Sequence, residues 1–302
     1  MNRRALTLLG AIVVDLTLGE LPNRFHPVVG IGRALSFGHD RFRTAPTIFQ
    51  LLGGAATVGA VTLSAALIGR GLERHLPPPA LAFALKSTFS LRPLIGEGLG
   101  VADGLESGDL AGARFKLRSL VSRPTEKLGP ALIAAAAIES LAENLSDSVV
   151  APWLAYVGLG LGGAVVYRAI NTADAMYGYR GDLEWLGKAA ARADDAVNWL
   201  PSRLTSLLLI AATAFSYGPR AGRRAVDCWR ADASKTASPN AGGPMATMAG
   251  ALGRRLEKPG HYVLGHAFPD PGPDDIRRAA WLVEAASAMA AAAAFTALRL
   301  RS

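Results

Sequence analysis

The chain holds one cysteine, Cys228, in 302 residues. That excludes an intramolecular disulfide and a thiolate metal cluster, and it fits a reducing cytoplasmic side. Charge is scarce as well: Asp, Glu, Lys and Arg together make up 19% of the residues, and aromatics 7%. Neither GxxxxGK[ST] nor GxGxxG after a strand occurs, so the 33 glycines give no nucleotide-binding fingerprint. Strand-like alternation and internal repeats are absent, which leaves an all-helical reading. His26 stands alone, and His261 and His266 lack the further Cys or His of a zinc site. Each reads as a structural histidine.

What the chain has in quantity is apolar sequence. Hydrophobic residues are 50% of the total and mean hydropathy is +0.25, a membrane-class composition too apolar for an ordinary soluble enzyme. The fold expected is an all-α, polytopic integral membrane helix bundle with broken or re-entrant helices. Residues 47–68 are uncharged and long enough to cross a hydrocarbon core. Residues 5–21 form a second candidate span, in which Asp15 interrupts the apolar run and no small-residue cleavage site follows. Residues 280–298 form a third, 204–217 are short, and 132–166 read as two segments broken at Pro152. No low-complexity linker divides the chain, so one membrane-embedded domain, 1–302, is expected, with a long polar loop at 218–279. The glycine-rich pieces 51–59 and 158–163 read as close helix-packing surfaces.

The net charge is +8, yet the basic residues are scattered through loops without interleaved aromatics, which argues against nucleic acid. Lipid and phosphate-bearing substrates explain them better. The polar stretch 220–258 carries eight Lys/Arg against Asp227, Asp232 and Glu257 and is placed in the cytoplasm.

The most informative stretch is 130–156, where an apolar helical run carries Glu139, Glu143 and Asp147 four residues apart. At ~100° per residue the three drift only ~80° around a helix and share one face. Carboxylates so placed in an apolar helix mark a functional site, and their mutual repulsion calls for a metal or a cationic partner. Asn171 and Asp174 make a second polar group, and Asp194, Asp195 and Asn198 a third. Each is either a polar seam between helices or part of a site. The turn 238–244, SPNAGGP, has residues that tolerate left-handed backbone and consecutive N–H groups, so it reads as a helix-capping turn or an anion cradle.

Five blocks resemble, in order, the signatures of the CobD/CbiB family: VDLTLGELPNRFHPVVGIGR (14–33), ESLAENLSDSVVAP (139–152), YRAINTADAMYGYR (167–180), ARADDAVNWLPSRL (191–204) and SPNAGGPMATMAGALGRRLEKPGHYVLG (238–265). The resemblance covers nearly the whole chain. Departures are Glu20 where the family commonly has Asp, Ser148 where Gly is usual, Pro124 after Arg123, Gly243 where an aromatic is frequent, and Met245 where some relatives have Glu.

The resemblance implies an adenosylcobinamide-phosphate synthase of cobalamin biosynthesis, a multi-pass cell-membrane enzyme with its active site facing the cytoplasm. Such a carbon–nitrogen ligase joins a propionate carboxyl of a corrinoid, adenosylcobyric acid, to aminopropanol, its O-phosphate or threonine phosphate, with ATP and Mg²⁺ as co-reactants. A carboxylate resists amines until an oxygen becomes a leaving group, which ATP can supply as an acyl phosphate or adenylate. Glu143, Asp147 and Asp174 are the candidate Mg²⁺ ligands. Asp194, Asp195 and Glu139 are the candidate catalytic carboxylates, with Asp194 and Asp195 able to take the proton of the attacking ammonium. Arg33, Arg123, Arg168, Arg180 and Arg203 are candidates for phosphates or the corrin's acidic edge, and Asn171, Ser238 and Asn240 for orienting substrate. Candidate protein partners are a second copy of the chain or other membrane enzymes of the cobalamin pathway. The rival readings are a small transporter using acidic intramembrane helices and a noncatalytic scaffold.

Overall fold

The computed structural model describes residues 2–20, 26–178 and 183–301. The helices in chain order are α1 (Arg3–Leu18), α2 (Pro27–Phe42), α3 (Thr47–His75), α4 (Pro78–Lys86), α5 (Arg92–Glu106), α6 (Leu110–Leu117), α7 (Pro130–Leu145), α8 (Ala151–Tyr177), α9 (Glu184–Val197), α10 (Trp199–Tyr217), α11 (Pro219–Asp232), α12 (Gly242–Leu252) and α13 (Pro273–Leu300). A π-helical turn, Ser146–Val150, joins α7 to α8, and two short strands, β1 (Leu256–Lys258) and β2 (Tyr262–Leu264), precede α13. The strands form an antiparallel hairpin with Leu256 opposite Leu264. They are too short for alternation to show in sequence, so the expected absence of strands is corrected here while the helical class holds.

The chain divides into two compact units: Met1–Ser90 with Ala151–Asn198 and Ala293–Ser302, and Leu91–Val150 with Trp199–Ala292. Among the described residues three segments are long and apolar enough to cross a membrane: Thr47–His75, Pro130–Tyr177 and Pro273–Leu300. On α3 the residues Ile48, Leu52, Leu63, Leu67 and Ile68 are all more than half exposed, a surface matched to lipid tails. The 16 residues of α1 reach only ~24 Å, short of a ~30 Å hydrocarbon core.

In the first unit, α3, α8 and α9 pack on one another and α1 packs on α4. The expected close packing of glycines is present: a Cβ on Gly69 would lie 2.6 Å from Gly162 Cα, so α3 and α8 meet backbone to backbone. The break expected at Pro152 is not there. The helix carries on through Pro152 behind the π turn, whose wider bonding accommodates a residue with no N–H, and the kink falls at Gly160, with φ 72°. Only glycine takes that conformation at no cost.

Asp15, which interrupts the apolar α1, is answered from α4. Lys86 Nζ lies 3.0 Å from Asp15 Oδ1 and 3.3 Å from Glu20 Oε2, with Lys86 and Asp15 fully buried. Glu20 is completed by His26 at 2.7 Å and Ser90 at 3.1 Å.

In the second unit the expected polar loop is mostly folded. Along α11 the residues Ala221, Gly222, Ala225 and Cys228 face inward, while Arg220, Arg223, Asp227 and Arg230 do not. The apolar α12 is buried along its whole length against α7, α10 and α11. Asp232, ending α11, accepts the Gly265 N–H at 2.6 Å and pairs with Lys235 at 2.5 Å, which ties the hairpin to the helix. The segment looks polar in sequence because its charges gather on the outer face of one amphipathic helix.

Removing one partner of a buried ion pair strands the other charge, so Asp15→Ala should cost about 3–5 kcal/mol. Asp15→Leu with Lys86→Met should recover most of that in thermal unfolding followed in detergent. Recovery no better than Asp15→Ala alone would show that the pair does more than neutralise itself. Burial, and after it the Asp232 charge, pushes the Cys228 thiol up to about 12. Folded protein should therefore resist iodoacetamide at pH 8 and react on denaturation, as mass spectrometry of the labelled chain would read.

Candidate active site

Three polar groups gather the residues singled out in the sequence. In the first, α7 carries Glu139 and Glu143 on one face, and the segment before α7 brings Arg123 across to them. Arg123 Nη2 lies 3.1 Å from Glu139 Oε2. Glu139 is 5% exposed, and its Oε1 is sealed from solvent without a hydrogen bond, as are Nε and Nη1 of Arg123. Tyr262 on β2 approaches the same carboxyl group, while its hydroxyl contacts Met245 Sδ at 3.7 Å. Burial, and then the nearby Glu139 and Glu143 charges, push the Tyr262 hydroxyl up, so it stays protonated. These side chains, with Ser122, Ser140 and Lys258, line a cavity of about 130 Å³. Asp147 does not line it. It sits in the π turn, where i→i+5 bonding breaks the four-residue register that an unbroken α-helix would keep.

The second group surrounds the 238–244 turn. Arg203 Nη1 donates to Asn240 Oδ1 at 2.9 Å and to the Trp199 carbonyl at 2.8 Å, and its guanidinium lies 4.6 Å from the Trp199 ring centroid. Ser202 Oγ donates to the Asn240 carbonyl at 2.6 Å. The backbone N–H groups of Asn240 and Ala241 point to Ser238 Oγ, those of Gly243 and Met245 to the carbonyls of Asn240 and Ala241. The turn thus spends its donors internally. Beside the turn, Arg203 is the cation available to an anion, held in place by Asn240 and Trp199.

The third group belongs to the other unit. Tyr167 Oη donates to Asn198 Oδ1 at 2.8 Å, Asn198 Nδ2 to Asp194 Oδ2 at 2.9 Å, Asn171 Nδ2 lies 3.5 Å from Asp194 Oδ1, and Arg168 Nη1 lies 3.3 Å from Asn171 Oδ1. This relay is a polar seam between α8 and α9, and it holds Asp194 in a fixed orientation. Burial raises the Asp194 carboxyl above its ordinary range; hydrogen bonds from Asn198 and Asn171 oppose the shift and the Asp195 charge adds to it. Asp174 lies within electrostatic reach of both aspartates, and Arg192 reaches Asp195 at 4.0 Å.

The candidate metal set is thus distributed, with Glu143 and Asp147 in one unit and Asp174 in the other. Among the described residues no group of three His, Cys, Asp or Glu is disposed to hold a metal by itself. Mg²⁺ ordinarily takes one or two carboxylates, waters and substrate phosphates, a demand that paired carboxylates such as Asp174 and Asp194 fit. Arg33 is exposed on α2, and Arg180 lies outside the described residues. Lys258 and Tyr262 escaped the sequence reading although they stand in the last motif block. Lys86, buried against Asp15, gave no periodic signal; only the anomalous Asp15 pointed toward it.

The model of the family described as CobD/Cbib protein matches residues 8–300. The chain is 40% identical over 281 residues to a protein of Dehalococcoides mccartyi named cobalamin biosynthesis protein CobD, covering 90% of this chain and 87% of that one. It is 40% identical over 284 residues to a probable cobalamin biosynthesis protein CobD of Thermococcus kodakarensis, covering 90% of each. A Pyrococcus furiosus protein of the same probable designation is 39% identical over 281 residues, with 91% of this chain and 92% of that one covered. No solved structure matches the chain. A family match across nearly every residue, with the motif residues gathered into polar groups inside an apolar helical frame, makes this chain a member of the CobD/Cbib family.

Proposed function

We propose that the protein acts in cobalamin biosynthesis as an adenosylcobinamide-phosphate synthase, joining aminopropanol or its O-phosphate to a propionate carboxyl of adenosylcobyric acid in an ATP-dependent amide ligation. The observation that carries this reading is the cavity of about 130 Å³ that brings Arg123 and Lys258 together with Glu139 and Glu143 beside an apolar helix.

The chemistry falls into two tasks. Activation requires the propionate to receive a phosphoryl or adenylyl group from ATP, with the triphosphate held by cations. Arg168 in one unit and Arg203 in the other are each suited to phosphate oxygens, and the carboxylates available to Mg²⁺ are Asp174 in the first of these units and Glu143 and Asp147 in the second. When bound, Mg²⁺ neutralises charge on the transferring phosphate. Amide formation then requires a free amine. Asp194, whose carboxyl burial has raised, is suited to accept the ammonium proton while the amine nitrogen attacks the activated carbonyl and the phosphate or nucleotide departs. The carbon–nitrogen bond formed and the carbon–oxygen bond broken balance without a redox partner. The cytoplasmic orientation follows from the basic surface of α11 and from where ATP is available.

Purified protein in nanodiscs should form the amide, with stoichiometric ATP cleavage, only when corrinoid, amine, ATP and Mg²⁺ are all present, as mass spectrometry would read. Substrate uptake into sealed vesicles without amide would support a transporter instead. Asp174→Asn and Asp147→Asn should each lower kcat about a hundredfold or more, the loss of a few kcal/mol of charge stabilisation, while the protein stays in the membrane fraction. Wild-type turnover in either variant would remove that residue from the site.

A further inference from the structure

A second cavity, of about 390 Å³, lies among the start of α1, the end of α3, the part of α8 before its kink and the last turn of α13, and its lining belongs wholly to the first unit. It shares no residue with the three polar groups of the candidate active site. Arg3, Arg4 and Arg301 bring three cations to it against one carboxylate, Glu73. All three cations stand outside residues 8–300, the stretch that the family model matches. The site is therefore separate from the chemistry that the family shares.

The kink at Gly160 builds this cavity. In an unbroken helix the Leu161 N–H would donate to the Val157 carbonyl, four residues back. At the kink both groups meet charged side chains from other helices: Leu161 N–H donates to Glu73 Oε2 at 3.1 Å, and the Val157 carbonyl accepts from Arg301 Nη1 at 2.8 Å. Glu73 also holds Arg4 at 2.6 Å, so the one carboxylate of the lining is engaged twice. Arg3 donates to the Leu76 carbonyl. Carbonyls orient Arg3 and Arg301 without neutralising them, and both side chains are exposed. Each guanidinium has five N–H donors, so one carbonyl bond leaves others for an anion.

Along α1 from these cations run Leu6, Leu9, Val13 and Leu16, all exposed and spaced by three or four residues, which keeps them on one face. The stripe is ~15 Å long, half of a ~30 Å hydrocarbon core and so the depth of one leaflet. A soluble phosphate ester would use the cations and leave the stripe bare. A zwitterionic lipid would bring its own cation into a site already in positive excess. We infer that the cavity and the stripe together hold an anionic phospholipid, with its phosphodiester against Arg3 and Arg301 and its acyl chains along α1. A lipid so held bridges the start of α1 and the end of α13, the two helices that carry these arginines.

Native mass spectrometry of the delipidated full chain in detergent, titrated with phosphatidylglycerol or phosphatidylcholine, reads the retained lipid directly. The wild type should hold phosphatidylglycerol about tenfold more tightly or better. That preference should fade as ionic strength rises from about 0.1 to about 1 M, a readout that needs no variant. Arg3→Gln with Arg301→Gln should weaken phosphatidylglycerol about fivefold for each charge removed and leave phosphatidylcholine unchanged. Arg3→Lys with Arg301→Lys, which keeps both charges, should retain most of the preference. Equal retention of the two lipids by the wild type, a preference indifferent to salt, or an intact preference in the glutamine pair would overturn the inference. Displacement of the lipid by glycerol 3-phosphate at matching concentration would make the cavity a site for soluble phosphate. A wild-type dimer that Leu9→Ser with Val13→Ser renders monomeric, with lipid retention unchanged, would give the stripe to a second copy. Either result ends the lipid assignment.

Discussion

A charged side chain on an apolar helix has to be neutralised by another part of the chain, and that requirement organises this protein. Lipid and packed core offer no water to solvate it, so the cost of an unanswered charge is several kcal/mol. The chain meets the requirement in three ways. Lys86 from α4 pairs with Asp15 on α1, both fully buried, and reaches outward to Glu20, which His26 and Ser90 also contact. Asn198, itself held by Tyr167, and Asn171 answer Asp194 with neutral hydrogen-bonding groups. Arg123 answers Glu139 only in part. The first arrangement holds helices together, whereas the last lines a cavity.

The apolar segment Pro130–Tyr177 links these arrangements in the chain. Its first part, α7, presents Glu139 and Glu143 in one unit, and its last part, α8, presents Arg168, Asn171 and Asp174 in the other. Between them the π turn and the Gly160 kink reset the helical phase twice. An uninterrupted helix would project its polar residues along a steady 100° sequence, and the acidic stripe would continue past Glu143 to Asp147. The two irregularities let separate polar groups arise on one continuous apolar stretch, which is a common use of π turns at functional positions.

The same logic explains why some departures from the family pattern are tolerated. Glu20 reaches Lys86, His26 and Ser90 together. Met245 gives up a carboxylate but offers its sulfur to the Tyr262 hydroxyl, which leaves Glu139 and Glu143 as the carboxylates of that cavity. Ser148 donates back to Asn144 Oδ1 at 3.1 Å within the helix and makes no demand on its neighbours.

Composition and local pattern determined the helical class, the long apolar segments, the glycine contact surfaces and the motif residues, because these follow from side-chain chemistry and spacing within one element. Family resemblance pointed to Glu139, Asp194 and Asn240 for the same reason: each stands in a contiguous block. The sequence could not show that Asp15 meets Lys86, that Arg203 is braced by Asn240, or that Lys258 and Tyr262 join Glu139, since those partners lie 71, 37, 119 and 123 positions apart in the chain. Nor could it reveal that 218–279 folds around a buried α12, because net charge averages over the two faces of α11. Tertiary structure decided these points: burial turns a nearby opposite charge from a weak surface contact into an obligatory partner, and only the packing of distant segments determines which charges are buried together.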